Sequence, residues 1–170
     1  ARRGWYVFPC KPDKRPYWNE QDLPNGKDNA TTDPEQIRTW WKRWPNALIG
    51  VYCEKSGIFA LDVDNKNGKN GSQTLAALVR DYGAGHDIPV GPVQSTPSGG
   101  LHLIFRYPEG RSIPNNSGKL GDGLDLRSNG YICTGPGYAW HPGHGPDSPL
   151  TDAPAWLLEL IDSLGRPRTH

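Results

Sequence analysis

The sequence predicts an α+β domain with a mixed or antiparallel sheet and flanking helices. Three observations carry this. Short apolar runs recur with turn residues between them, three segments show helical periodicity, and at least two connections are short enough for hairpins rather than wound parallel crossovers. At 170 residues and 18.8 kDa the chain fits one domain that can bury a core without disulfides.

The composition narrows the class. Glycine (21) and proline (17) are abundant, which predicts many turns. Nineteen basic against eighteen acidic residues leave a net charge of +1, so any basic surface for a polyanion must be local. Cys10, Cys53 and Cys133 are odd in number and lack CxxC spacing, which disfavours a disulfide framework and a zinc ribbon, and a reducing cytoplasm is the simplest setting. No run of eighteen apolar residues suggests a membrane span. The opening "ARRGWYVFP" reads as a helix end passing into a strand, and with no Met anywhere this suggests a fragment of a longer protein.

In chain order, "WYVFP" (5–9) is an aromatic, β-branched first strand followed by a long loop carrying Lys11, Lys14 and Arg15. "TTDPEQIRTWWKRW" follows as a helix with Asp33 as N-cap, Pro34 at its first position, and Ile37, Trp40, Trp41 and Trp44 as a core-facing stripe; Pro45 ends it. Arg38 and Lys42 fall on its solvated face. "ALIGVYC" (47–53) and "GIFALDVD" (57–64), separated by "EKSG", read as an antiparallel hairpin. "GSQTLAALVRDYG" is a second helix, capped by Ser72, with Leu75, Leu78, Val79 and Tyr82 on one face. A loop at 83–91 leads to "PVQSTPSGG" and "LHLIFRY", two strands around a glycine-rich turn. "GLDLR" and "YICTG" are two more short strands, joined by Ser128–Gly130. "APAWLLELIDSL" is a third helix, capped by Thr151 or Asp152, and the tail after Gly165 is loose.

The chemistry concentrates in three places. In a strand, Asp62 and Asp64 project from one face with Cα atoms about 6–7 Å apart, two carboxylates that repel each other and invite a hard cation with oxygen ligands. A lone DxD at a strand end is more often a solvated turn or an Asx cap. A third carboxylate, Asp125, lies inside the apolar run "GLDLR", whereas Asp122 in "LGDGL" serves a turn. In "STPSGGLHLIF", Ser98, Gly99 and Gly100 form a turn whose N–H groups and hydroxyl can face an anion, and His102 follows on the same strand face as Gly100 and Ile104. The alternative there is a plain hairpin with a histidine bonded to its neighbour.

The segments "GWYVFPCKPDKRP", "ATTDPEQIRTWWKRWPNALIGV", "IFALDVD", "TPSGGLHLIFR" and "GLDLRSNGYI", in that order, closely resemble the bifunctional DNA primase/polymerase domain, the prim-pol branch of the archaeo-eukaryotic primase superfamily. The likeness runs from about Gly4 to Trp140. It implies a primase-like fold with an RRM-like catalytic core and template-directed nucleotidyl transfer with two Mg²⁺ or Mn²⁺ ions. It assigns Asp62, Asp64 and Asp125 as metal-binding catalytic carboxylates. Ser98 and His102, with the turn of Gly99 and Gly100, would hold the triphosphate, His102 also counting as catalytic, and Arg127 would contact phosphate. Lys14 and Thr31 fall in the family's "KxP" and "AT" signatures, Lys14 as a nucleotide-binding candidate. No zinc is expected: the zinc insertion of some relatives is absent, and His141 and His144 lie in a Pro/Gly loop without cysteine partners.

The same resemblance implies a single-stranded DNA template and primer, dNTP or NTP substrates, and a catalytic domain over residues 1–165 with a flexible 166–170 tail. That domain would open a larger plasmid, phage or prophage replication protein, with a helical domain and a helicase behind it, in the cytoplasm of a bacterial host. Two rivals remain. A haloacid dehalogenase-type phosphatase wants Thr or Val where this chain has Lys66. A non-catalytic single-stranded DNA or origin-binding module would keep the fold without the activity.

Overall fold

A computed structural model describes residues 2–164, so the expected loose tail lies outside the described residues. Nine strands and three helices follow one another as β1 (Val7–Cys10), α1 (Pro34–Arg43), β2 (Leu48–Tyr52), β3 (Ile58–Val63), α2 (Gly71–Tyr82), β4 (Val93–Ser95), β5 (Leu101–Arg106), β6 (Asn116–Ser117), β7 (Leu124–Arg127), β8 (Tyr131–Thr134), β9 (Ala139–Trp140) and α3 (Ala155–Ser163). They form a three-stranded sheet, β1-β2-β8, and a six-stranded sheet, β6-β7-β3-β5-β4-β9, with every pairing antiparallel. The α+β class holds.

The larger sheet is covered on both faces, which is why β3 reads as a nearly unbroken apolar run. Phe59, Leu61 and Val63 point to one side, where Leu103, Phe105, Leu124 and Leu126 meet Leu157 and Ile161 of α3, with Leu75 and Leu78 of α2 packed alongside. Ile58 and Ala60 point to the other side, where with Ile104 they meet Val7, Val51 and Ile132 of the smaller sheet. Asp62 shares this second face, so its carboxylate enters the space between the two sheets.

The first helix forms as read. Asp33 caps it by accepting from Glu35 N at 3.0 Å, Pro34 opens it, and Trp40 is buried against Phe8, Cys10 and Leu48, with Trp41 and Trp44 packed beside them. The strands at 93–95 and 101–106 pair around "TPSGG", as expected.

Other expectations need correction. The runs at 47–53 and 57–64 do not pair as a hairpin. One turn of 3₁₀ helix at Glu54–Ser56 and a left-handed Gly57 (φ 72°) carry the chain from one sheet to the other. Each strand already has two partners, β1 and β8 for β2, β5 and β7 for β3. The strands around Ser128–Gly130 part in the same way, β7 joining the larger sheet and β8 the smaller. The cap of α2 is Asn70, accepting from Gln73 N at 3.2 Å, because Ser72 is one residue inside the helix and bonded to Asn65. Tyr82 is exposed rather than part of the buried face. Neither Thr151 nor Asp152 caps α3; Pro154 precedes it without a side-chain bond, and Asp152 is ion-paired with Arg106 at 2.6 Å.

Candidate active site

Strand register assembles the site. Asp62 on β3 lies directly opposite Asp125 on β7 and His102 on β5, and His102 lies opposite Gln94 on β4. Cross-strand partners share a face, so Asp125, Asp62, His102 and Gln94 form one row across the sheet, facing the smaller sheet. Arg127, two residues beyond Asp125, is on that face as well.

The row borders a cleft of about 310 Å³ lined by Lys14, Asp62, His102, Asn115, Arg127 and Tyr138, with the edge strand β8 (Tyr131–Cys133) as its opposite wall. His102 Nε2 lies 3.5 Å from Asp62 Oδ1, and Arg127 Nη2 lies 3.5 Å from Asp125 Oδ2. Burial of Asp62 would raise its pKa. The nearby His102 ring, with the charges of Arg127 and Lys14, more than offsets this and holds the carboxyl below its ordinary value. Gly118 N donates to the remaining Asp125 oxygen, Oδ1, at 3.0 Å.

A neighbouring cavity of about 350 Å³ shares Lys14 and Tyr138 with the first and adds Lys66, Pro97 and Ser98. Tyr138 stands between the two, its ring 6.2 Å from that of His102 and inclined to it by 28°. Lys14 reaches both cavities from a left-handed backbone (φ 73°), a conformation that costs a non-glycine residue energy, and Tyr131 steadies it by donating its hydroxyl to Lys14 O at 2.8 Å. Burial pushes the Tyr131 phenol up to about 12, keeping it a donor.

The predicted residues do not all converge. Asp62, His102, Arg127 and Lys14 line one cleft, Asp125 adjoins Asp62, and Ser98 lines the neighbouring cavity, with Gly99 and Gly100 completing its turn. Thr31 bridges back to Val7 at the start of β1. Asp64 lies one residue beyond the end of β3, where its Oδ1 accepts from Lys66 N at 3.0 Å and its Oδ2 lies 3.7 Å from Lys69 Nζ. Its backbone is clasped by two glycines: Asp64 N donates to Gly123 O at 2.7 Å and Asp64 O accepts from Gly71 N at 2.9 Å. Among the described residues, no three His, Cys, Asp or Glu side chains stand as a ready-made cation site.

The donor set nonetheless suits a hard divalent ion. Two carboxylates from adjacent strands oppose each other directly, an arrangement that is unfavourable without countercharge and that Arg127 and His102 relieve only at 3.5 Å. His141 and His144 are engaged elsewhere, with Ser95 Oγ at 2.8 Å and Gly91 O at 3.0 Å. All three cysteines are buried and free.

Sequence reading missed Gln94, Lys66 and Tyr138. Gln94 left a trace, a polar residue beside Val93 in a short strand next to the His102 strand; Tyr138 lies in a Pro/Gly loop that carries no such pattern. A separate cavity of about 400 Å³ between Trp5, Ile37, Trp41 and Trp140 is far more apolar, and its one charged side chain, Arg3, is paired with Asp147 at 2.9 Å. It offers no group suited to acid–base or phosphate chemistry.

Residues 1–156 match the family model of the bifunctional DNA primase/polymerase, N-terminal domain. No curated protein matches the chain.

Proposed function

The chain belongs to the bifunctional DNA primase/polymerase family, and from that premise we propose that it is a template-directed nucleotidyltransferase whose reaction takes place in the cleft between the two sheets. At the level of the family the activity is that of a DNA primase/polymerase, with DNA and nucleotides as substrates. The observation that carries the local assignment is the row Asp125–Asp62–His102, flanked by Arg127 and Lys14. Acidic and basic groups side by side in one cleft suit a reaction in which a triphosphate is held beside a cation.

In this reading Asp62 and Asp125, with Asp64 released from Lys69, hold Mg²⁺ or Mn²⁺. A divalent ion there supplies countercharge to the attacking hydroxyl and the departing pyrophosphate. The protein's own groups do the positioning. His102, through Nε2, and Arg127 reach phosphate oxygens from the two ends of the row, while Lys14, Lys66 and Ser98 hold the outer phosphates in the neighbouring cavity. Tyr138, between the cavities, fixes where the substrate can pass from one to the other.

Residues 1–165 are proposed as the catalytic unit of a plasmid, phage or prophage replication protein that works on single-stranded DNA alongside a helical domain and a helicase. Among the described residues no helix is long and apolar enough to cross a membrane.

The test is primer extension on primed single-stranded DNA with dNTPs and Mg²⁺ or Mn²⁺, comparing the protein with an Asp62→Ala, Asp64→Ala variant. Loss of cation binding removes several kcal/mol of charge stabilisation, so the rate should fall by a factor on the order of 10³. If the unmodified protein neither extends primers nor binds nucleotide with either metal, the reading fails and a non-catalytic DNA-binding module replaces it.

A further inference from the structure

We propose that Gln94 is a positioning residue that fixes the proton of His102 on Nε2, the ring nitrogen nearest Asp62. The inference rests on the reading of His102 as a phosphate-binding group and adds to it the residue that makes the ring a donor.

Gln94 is fully buried on β4, opposite His102 on β5. Its Nε2 atom lies 2.7 Å from His102 Nδ1 and 2.9 Å from the carbonyl oxygen of Cys133 on β8. The carbonyl can only accept, so the amide atom facing it must be the NH₂ group rather than Oε1. The second hydrogen of that same nitrogen then points at Nδ1, which must accept it. A neutral imidazole that accepts at Nδ1 carries its hydrogen on Nε2. Turning the amide over would set Oε1 against the Cys133 carbonyl, two acceptors with no proton between them.

What Nε2–H then does is equally constrained. Its distance to Asp62 Oδ1, 3.5 Å, is too long for a good charge-assisted bond, so the donor remains available to an incoming oxygen. The Tyr138 ring stands 6.2 Å from the imidazole, inclined to it by 28°. Gln94 Oε1 is buried with no partner among the described residues, and an unpartnered buried carbonyl is destabilising. A leucine of similar size would remove that defect but leave two buried acceptors, His102 Nδ1 and the Cys133 carbonyl, without a donor. The amide is therefore accounted for by what its NH₂ group holds, the imidazole on one side and the β8 backbone on the other.

The experiment is ¹⁵N NMR of histidine-labelled, metal-free protein with the pH raised until the ring signals show the neutral form, and with the His102 signals assigned by their loss in His102→Ala. The expected pattern is a protonated Nε2 and an unprotonated Nδ1. Gln94→Leu should let both tautomers populate and raise the KM for dNTP about tenfold, the worth of one charge-assisted hydrogen bond, with a modest loss of thermal stability from the two acceptors left unpaired. Should that variant fold poorly, Gln94→Met, a flexible side chain of similar length, serves in its place. A proton on Nδ1 in the unmodified protein, or an unchanged tautomer in both variants, overturns the assignment. The NMR arm needs no substrate. A protein that shows the Gln94-dependent Nε2 proton but binds no nucleotide would sink the nucleotidyl-transfer reading and leave the assignment of Gln94 standing.

Discussion

Replacing Gly71 by alanine sets two physical effects against each other. Gly71 opens α2, and its φ lies outside the left-handed region, so alanine is conformationally allowed and helix propensity alone would stabilise the protein by up to about 1 kcal/mol. Sterics oppose this. A Cβ at Gly71 would lie 2.4 Å from Gly123 O and 2.9 Å from both the nitrogen and the oxygen of Asp64, where ordinary contact begins at 3.4 Å. The Gly123 carbonyl would have to withdraw by about 1 Å, which breaks its good hydrogen-bond geometry with Asp64 N. Overpacking of this kind costs about 1–3 kcal/mol, and the two backbone bonds on either side of Asp64 contribute roughly 1 kcal/mol each. The expected net effect is a loss of about 2–4 kcal/mol. With a urea dependence of roughly 2 kcal/mol per molar, the unfolding midpoint should fall by about 1–2 M. A midpoint that stays put or rises would refute the reasoning, since it would mean that the backbones of β3, α2 and the 118–123 loop do not meet so closely behind Asp64.

Asp22 accepts from Gln36 Nε2 at 3.1 Å and from Arg43 Nη1 at 3.1 Å, tying the loop after β1 to α1. Burial would raise its pKa, but the bonds and charge of Arg43 and Gln36 lower it overall, so its stabilising effect is complete above the unfolded value near 3.9 and fades as pH falls through the lower folded value. Asp22→Asn should therefore cost about 1 kcal/mol at pH 7 and progressively less below about pH 4, read as urea midpoints across a pH series; parallel curves down to acid pH would contradict this. Arg127→Ala should raise the KM for nucleotide about tenfold or more, with Arg127→Lys restoring only part of the loss because an ammonium lacks the planar fork of donors. Unchanged KM in steady-state primer extension would remove Arg127 from the phosphate site.

Local signals were the legible ones. Asp33 and Pro34 mark the start of α1 because a cap and a fixed proline φ act within one turn, and the indole stripe marks its buried side by period alone. The "TPSGG" turn likewise joins β4 to β5 within a few residues. Pairing between distant strands was not legible: "EKSG" suits a hairpin turn as well as a crossing between sheets, and nothing in β2 or β3 names its partner. Of the candidate site, Asp62, Asp125 and His102 stand out as charge or imidazole inside apolar runs, and register then sets them side by side. The position of Asp64 was less visible, because β3 stops at Val63 and the lysines of the next turn engage the carboxylate. Gln94 looked like an ordinary polar strand residue, since its meaning depends on a carbonyl 39 positions away.

Strand β8 belongs to the smaller sheet, yet the strands before and after it in the chain, β7 and β9, both belong to the larger one. The wall of the cleft is thus stitched to the opposite sheet at both of its ends, by residues 128–130 and 135–138. Hydrogen bonds from Cys53 N to Gly130 O (3.0 Å) and from Glu54 N to Ser128 O (2.8 Å) draw the first stitch tight against the other crossing. Swinging the two sheets apart or clamping them shut would strain these seams, so the connectivity favours a preset aperture. The entropy of shaping the gap is incurred once, when the chain folds, and not again at each turnover.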